Sequence, residues 1–262
     1  MMRSRHRTKN VYVDVPTPTD MAKGEGYKSF TLPGGTTWVS SLSNYTPIES
    51  ISAPVSTAAD GVYAFHLSRY KNILDNFRTE LKGTVIGLTK EMLFGTQYTT
   101  SFRLHVPPDW VADDLHEIIW QLHHMPDAAE EGFGASPPLS LQVINNQFIV
   151  SYKYSTDPIS YNGFNQVSLD SGFFGAIAAN SAYDFEISFN LSRGTVLPAG
   201  NLTIKLNNVV QHTYTGPIGY DDLVGPFMKF GIYKAVWRKE YDNPVDTTER
   251  RYGFSNMIIV TA

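Results

Sequence analysis

Residues 227–234 read FMKFGIYK. The run is apolar and aromatic, as befits a strand buried in a β protein. Yet Lys229, Gly231 and Tyr233 stand at alternate positions, and alternate residues of a strand share one face. Phe230 and Ile232 take the other face. A strand of this kind belongs to a sheet with one side packed on a core and the other forming the floor of a wet groove.

The same period recurs upstream. In FRTELK (77–82) Arg78 and Glu80 are two apart, with Phe77, Thr79 and Leu81 opposite. In WQLHH (120–124) Gln121 and His123 are two apart, with Trp120 and Leu122 opposite. Further strand patterns follow at short intervals, among them TQYTTSFRLHV, LSLQVINNQFIVSYKY, AYDFEISFNLS and NLTIKLNNVVQHTYT. Asn145-Asn146 and Asn207-Asn208 suit tight hairpin turns, and hairpins are also expected around Pro33-Gly34-Gly35 and Asp60-Gly61. Only RYKNILDNF and DWVADDLHE read as short helices. The sequence predicts an all-β fold, a β-jelly-roll sandwich of two antiparallel sheets with a concave substrate groove and few short helices. Residues 1–25 read as an irregular N-terminal arm and residues 26–262 as a single jelly-roll domain.

The chain has 262 residues, no cysteine and a formal net charge of −4 from 21 basic and 25 acidic side chains. A core of this size needs no disulfide or structural metal. Without cysteine there is no thiol nucleophile and no Cys-containing zinc site. The charge balance argues against a general nucleic-acid binder. MMRSRHRTKN is basic but no apolar segment follows it, so it does not read as a secretory signal. No run of about eighteen apolar residues predicts a membrane span. Asp221-Asp222 reads as a solvated acidic turn, because the ligand spacing of a calcium loop is absent.

The polar faces of the three strands carry complementary chemistry. Arg78 offers a planar fork suited to a carboxylate, and Gln121 can donate an amide hydrogen bond to the same group. His123 can take a proton near neutral pH. Tyr233 can donate one, with Lys229 as a nearby positive charge, and Gly231 leaves room for a chain-like ligand close to the backbone. Together these suit β-elimination from a uronic acid in a polysaccharide. The carboxylate must be neutralised before the C5 proton can leave, and an acid must reach the departing glycosidic oxygen. No metal or cofactor is required.

These segments resemble motifs of the jelly-roll polysaccharide lyases. QLH (121–123) looks like the Gln-x-His motif of alginate, glucuronan and heparin lyases, RTEL (78–81) like their Arg-Ser/Thr-Glu-Leu strand, and KFGIY (229–233) like their Lys-x-Gly-x-Tyr strand. The stretch from Trp120 through SPPLSLQV, with NLTIKLNNVVQHTYTGP and YGFSNMIIV, is similar to the branch that resembles heparin lyase I and glucuronan lyase. The alginate-lyase form of the last motif starts with Tyr and ends with Gln, where this chain has Phe227 and Ala235. The resemblance implies His123 and Tyr233 for proton transfer, Gln121 and Arg78 for neutralising the carboxylate, and an anionic polysaccharide as partner. Lys229, Glu80, Lys234, Arg238 and His66 are expected to contact substrate, with His66 an alternative base. The implied setting is extracellular polysaccharide, with a virus-particle component as one source of such a chain. Two other classes use the same sandwich: a non-catalytic carbohydrate-binding module, and a glycoside hydrolase with Glu80 and Glu186 facing one groove.

Overall fold

The computed structural model describes residues 29–31, 37–40, 51–57, 62–68, 78–85, 88–89, 91–124, 136–155, 157, 165–195, 199–237 and 247–261. Two antiparallel sheets face each other across a shared core, the sandwich that the strand patterns predict. The first sheet runs in the order β1 (Ser29–Thr31), β2 (Thr37–Ser40), β5 (Arg78–Val85), β16 (Phe227–Tyr233), β8 (Glu117–His123), β9 (Leu139–Ile144), β10 (Gln147–Ser155) and β11 (Gln166–Asp170). Two short strands extend it, β6 (Leu88–Thr89) on β5 and β12 (Phe174–Ala176) on β10. The second sheet is β15 (Val209–Gly216), β14 (Gly200–Leu206), β13 (Ser181–Asn190), β7 (Gln97–Val106), β17 (Glu249–Thr261), β4 (Val62–Ser68) and β3 (Ile51–Thr57).

Period-two patterning accounts for the second sheet directly. Along β7, Tyr98, Thr100, Phe102, Leu104 and Val106 are buried while the residues between them are not. Leu202, Ile204 and Leu206 do the same along β14. The two Asn-Asn hairpins form as expected. Asn145 and Asn146 have φ of 49° and 60°, and Asn207 and Asn208 have 50° and 65°. Two consecutive left-handed residues are what a two-residue hairpin needs, and asparagine tolerates that region better than other residues with a Cβ. The strands flanking the other two expected turns also pair, β1 with β2 and β3 with β4.

The helix expected over DWVADDLHE is absent. Residues 109–116 are turn and irregular chain leading into β8. Asp113 turns its carboxylate back on the Leu115 N–H at 2.8 Å, a local bond that competes with helix formation. Among the described residues the helical element is a single 3₁₀ turn, Ala235–Trp237. RYKNILDNF and the N-terminal arm lie outside the described residues.

Four rings join the sheets at the centre of the core. Phe102 stacks on Phe185 at 5.2 Å, meets Phe230 edge-on at 5.1 Å, and lies 5.8 Å from Phe254. Phe230 comes from the first sheet and the other three from the second, so one aromatic side chain of β16 anchors that strand to the opposite layer. Phe230→Ala is expected to cost about 3–5 kcal/mol, the range for truncating a fully buried phenylalanine, measured as a lowered urea midpoint with an unchanged slope.

Candidate active site

β16 lies between β5 and β8, and its register assembles the site. On one side Tyr233 pairs with Arg78, Gly231 with Glu80 and Lys229 with Lys82. On the other side Lys229 pairs with Gln121 and Phe227 with His123. Directly paired positions share a face, so the three sequence motifs occupy one side of three adjacent strands. They form a row, with Arg78 and Tyr233 at one end, His123 and Phe227 at the other, and Glu80, Lys229 and Gln121 between. Six strand positions separate the level of His123 from Tyr233, roughly 20 Å of extended backbone. The β16–β8 register slips by one residue between Phe230 and Tyr233. Gly231 sits in this bulge with φ of 138°, a conformation that favours glycine.

The middle of the row is tightly bonded. Gln121 donates from Nε2 to Glu80 Oε1, and Lys229 Nζ donates to Glu80 Oε2 at 3.3 Å. Glu80, Gln121 and Lys229 are buried, at 3%, 2% and 5% exposure. An open wet floor, which the alternating pattern predicts, is therefore not what these three form. His123 and Tyr233 are only partly buried. The His123 ring lies parallel to that of Phe227 at 5.1 Å, and its Nδ1 is 2.9 Å from the His124 carbonyl. A carbonyl can only accept, so Nδ1 carries the hydrogen and the neutral ring keeps its lone pair on Nε2. Phe227, which the motif comparison shows only as a departure from tyrosine, is thus the platform that orients the imidazole.

His124 faces elsewhere. It is buried, with Nδ1 3.6 Å from Asp222 Oδ2 and its ring edge-on to Tyr220 at 5.6 Å. Tyr220 donates to the Ser136 carbonyl at 2.8 Å, and burial pushes its phenol far above the ordinary range. The solvated turn expected at Asp221-Asp222 is therefore corrected: Asp222 is buried and Asp221 pairs with Arg193 at 2.7 Å. Among the described residues no group of three or more His, Asp or Glu side chains is placed to hold a metal ion. No helix among them is long and apolar enough to cross a membrane.

The profile of the family described as "Polysaccharide lyase" matches residues 40–256. This chain belongs to the polysaccharide lyase family. A solved endo-β-1,4-glucuronan lyase from the fungus Trichoderma reesei matches 77% of the lyase over 81% of its own chain, at 14% identity and a TM-score of 0.63. A family 7 alginate lyase in complex with product matches 95% of it over 93% of its own chain, at 12% identity and a TM-score of 0.52. These likenesses establish the shared fold. No curated protein sequence matches the lyase.

Two of the residues expected to contact substrate, Lys234 and His66, sit elsewhere in the lyase. Lys234 directly follows Tyr233 but is wholly buried, paired with Asp113 at 3.1 Å and Glu117 at 3.5 Å and donating to the Leu115 carbonyl at 2.9 Å. Arg250 of β17 joins the same cluster, 2.8 Å from Glu117 and 3.4 Å from Asp113. Thr247 donates to Asp113 at 2.6 Å, and Tyr252 donates to Glu117. Two cations and two carboxylates thus balance, and Lys234 holds the end of β16 rather than a ligand. His66 lies on β4 of the second sheet, paired with Arg251 of β17 and Ser52 of β3. Glu186 is also on the second sheet, paired with Lys205 at 2.7 Å, and cannot share a groove with Glu80. Arg238 lies outside the described residues. No local pattern announces the Asp113–Glu117–Lys234–Arg250 cluster, since its cations come from segments more than a hundred residues away from its carboxylates.

The cluster and its neighbour His116 are expected to make the stability of the lyase fall in acid. Burial pushes the Asp113 carboxyl up, but the Lys234 charge and hydrogen bonds from Thr247, Leu115 and Lys234 outweigh it and the net direction is down. Burial, then the Lys234 charge, hold the His116 imidazole below its ordinary value. Both groups bind fewer protons in the folded state, so stability rises with pH. The His116 contribution is complete above about pH 6.5 and is lost as pH falls below it. The Asp113 contribution is complete above about pH 4 and is lost below it. Urea midpoints are expected to fall in these two stages, and His116→Gln to remove the first. Lys234→Met leaves two buried carboxylates with Arg250 as their one remaining counter-charge and is expected to cost about 3–5 kcal/mol in the same titration.

Proposed function

We propose that this lyase cleaves a 1,4-linked, uronate-containing polysaccharide by β-elimination. Arg78 and Gln121 neutralise the uronate carboxylate, which makes the C5 hydrogen acidic enough to leave. His123 takes that proton on Nε2. The C5–H electrons form the C4–C5 double bond, the bond from C4 to the glycosidic oxygen breaks, and Tyr233 gives that oxygen its proton. The products are a shortened chain and a 4,5-unsaturated uronate at a new non-reducing end. Atoms and charges balance without a cofactor, and the two side chains return to their starting states by exchanging a proton with solvent.

The observation that carries this reading is the shared face. A guanidinium, an amide, an imidazole and a phenol come from three strands that are distant in sequence and adjacent in register. The tautomer set by the His124 carbonyl adds to it, because it presents the lone-pair nitrogen that a base needs. The anionic partner follows from the chemistry of the donors.

Folded protein is incubated with β-1,4-glucuronan, alginate and heparinoid chains while absorbance of the conjugated double bond is followed. One of these polymers is expected to give a rising signal. On that polymer His123→Ala and Tyr233→Phe are each expected to lose about 10²- to 10⁴-fold in kcat, the range for removing a general acid or base, and to keep oligosaccharide binding. No signal on any uronate polymer, or full turnover by both variants, overturns the proposal.

A further inference from the structure

We infer that Glu80 is a positioning residue, whose carboxylate sets which end of the Gln121 carboxamide faces the ligand. The inference rests on the role proposed above for Gln121, and it moves Glu80 from the expected substrate contacts to the support beneath them. Both Glu80 oxygens are engaged, Oε1 by Gln121 Nε2 and Oε2 by Lys229 Nζ at 3.3 Å. It is committed to the protein.

The orientation follows from hydrogen-bond chemistry. An ionised carboxylate accepts and does not donate. Gln121 must therefore turn its NH₂ group toward Glu80, because the amide oxygen in that place would set two acceptors against each other. One N–H is spent on Glu80, and the second N–H points out of that contact. A ligand carboxylate needs that donor. With the amide reversed it would meet the carbonyl oxygen instead and be repelled. Lys229 supplies the counter-charge that a buried carboxylate needs, so the pair is neutral as a unit.

Strand register explains how Glu80 reaches Gln121 at all. Glu80 stands opposite Gly231, and Gln121 stands opposite Lys229 on the far side of β16. Their bond spans the whole central strand. Gly231 leaves that span clear, since any side chain there would rise on the same face. The gap that the sequence suggests for a ligand is filled by the protein's own carboxylate.

A double-mutant cycle on kcat/KM tests the inference. Glu80→Gln keeps the size of the side chain and can present either amide group to Gln121. It is expected to lower kcat/KM more than thirtyfold in the wild-type background and less than threefold in a Gln121→Ala background. Equal losses in both backgrounds mean general structural damage and overturn the inference. If Glu80→Gln alone fails to fold because Lys229 keeps its charge, Lys229→Met with Glu80→Gln removes both charges, and the cycle uses Lys229→Met as its reference. A second readout needs no turnover. The Gln121 side-chain NH₂ signal in a ¹⁵N-labelled sample is identified by its loss in Gln121→Ala. It is expected to shift in Glu80→Gln and to exchange at least tenfold faster with solvent. An unmoved signal overturns the inference whatever the enzyme cleaves, whereas silence of the wild type on every uronate polymer overturns the elimination reading alone.

Discussion

The pairing register of β16 is the constraint on which the rest of the site depends. Lys229 opposite Gln121 and Gly231 opposite Glu80 are what bring three short motifs onto one face. A slip of one residue would carry Lys229 and Tyr233 toward the core and Met228, Phe230 and Ile232 out of it. What prevents the slip is on the other side of the strand. Met228, Phe230 and Ile232 are all fully buried, and Phe230 is locked edge-on against Phe102 of the second sheet. The hydrophobic face thus positions the chemical face. The bulge at Gly231 then resets the phase before Tyr233, next to Arg78.

Charge burial is the second constraint, and the protein meets it by neutral grouping. Glu80 is matched by Lys229, and Asp113 and Glu117 by Lys234 and Arg250. A buried ion left alone costs several kcal/mol, so each group is stable only as a complete set. The larger set also has a mechanical role. It ties the residue after Tyr233 to the entry of β8 and to β17 of the opposite sheet. The proton-donating end of the proposed site is therefore braced by both layers of the sandwich.

The strands and their polar faces were legible in the sequence because period-two patterning is a local property. Arg78, Glu80, Gln121, His123, Lys229 and Tyr233 could be placed on faces from spacing alone, and the Asn-Asn turns from the φ that asparagine tolerates. Which polar groups face a ligand was not legible, because that depends on partners far away in the chain. Lys234 looks like an outward cation until Asp113 and Glu117 are brought against it, and Asp222 looks solvated until His124 covers it. The helix expected in DWVADDLHE fails partly for the same reason: besides its local bond to the Leu115 N–H, Asp113 is held by Thr247, Lys234 and Arg250, and tertiary contacts override local propensity. His66 has the right residue type in the right kind of strand, but strand order places it in the other sheet, and no local signal encodes strand order.

The central position of β16 also bears on how the molecule is made. Its neighbours in the sheet, β5 and β8, are synthesised more than a hundred residues before it. Until it arrives, each of them presents an unsatisfied backbone edge, the kind of surface that recruits other chains. Closing loops of that length is entropically slow to begin, and non-local pairing of this sort marks slow folders. A nascent chain halted before residue 227 would not be a weaker enzyme. It would be two incomplete half-sheets, sticky toward each other and toward their neighbours, and such a polypeptide would depend on chaperones until its last strands emerged.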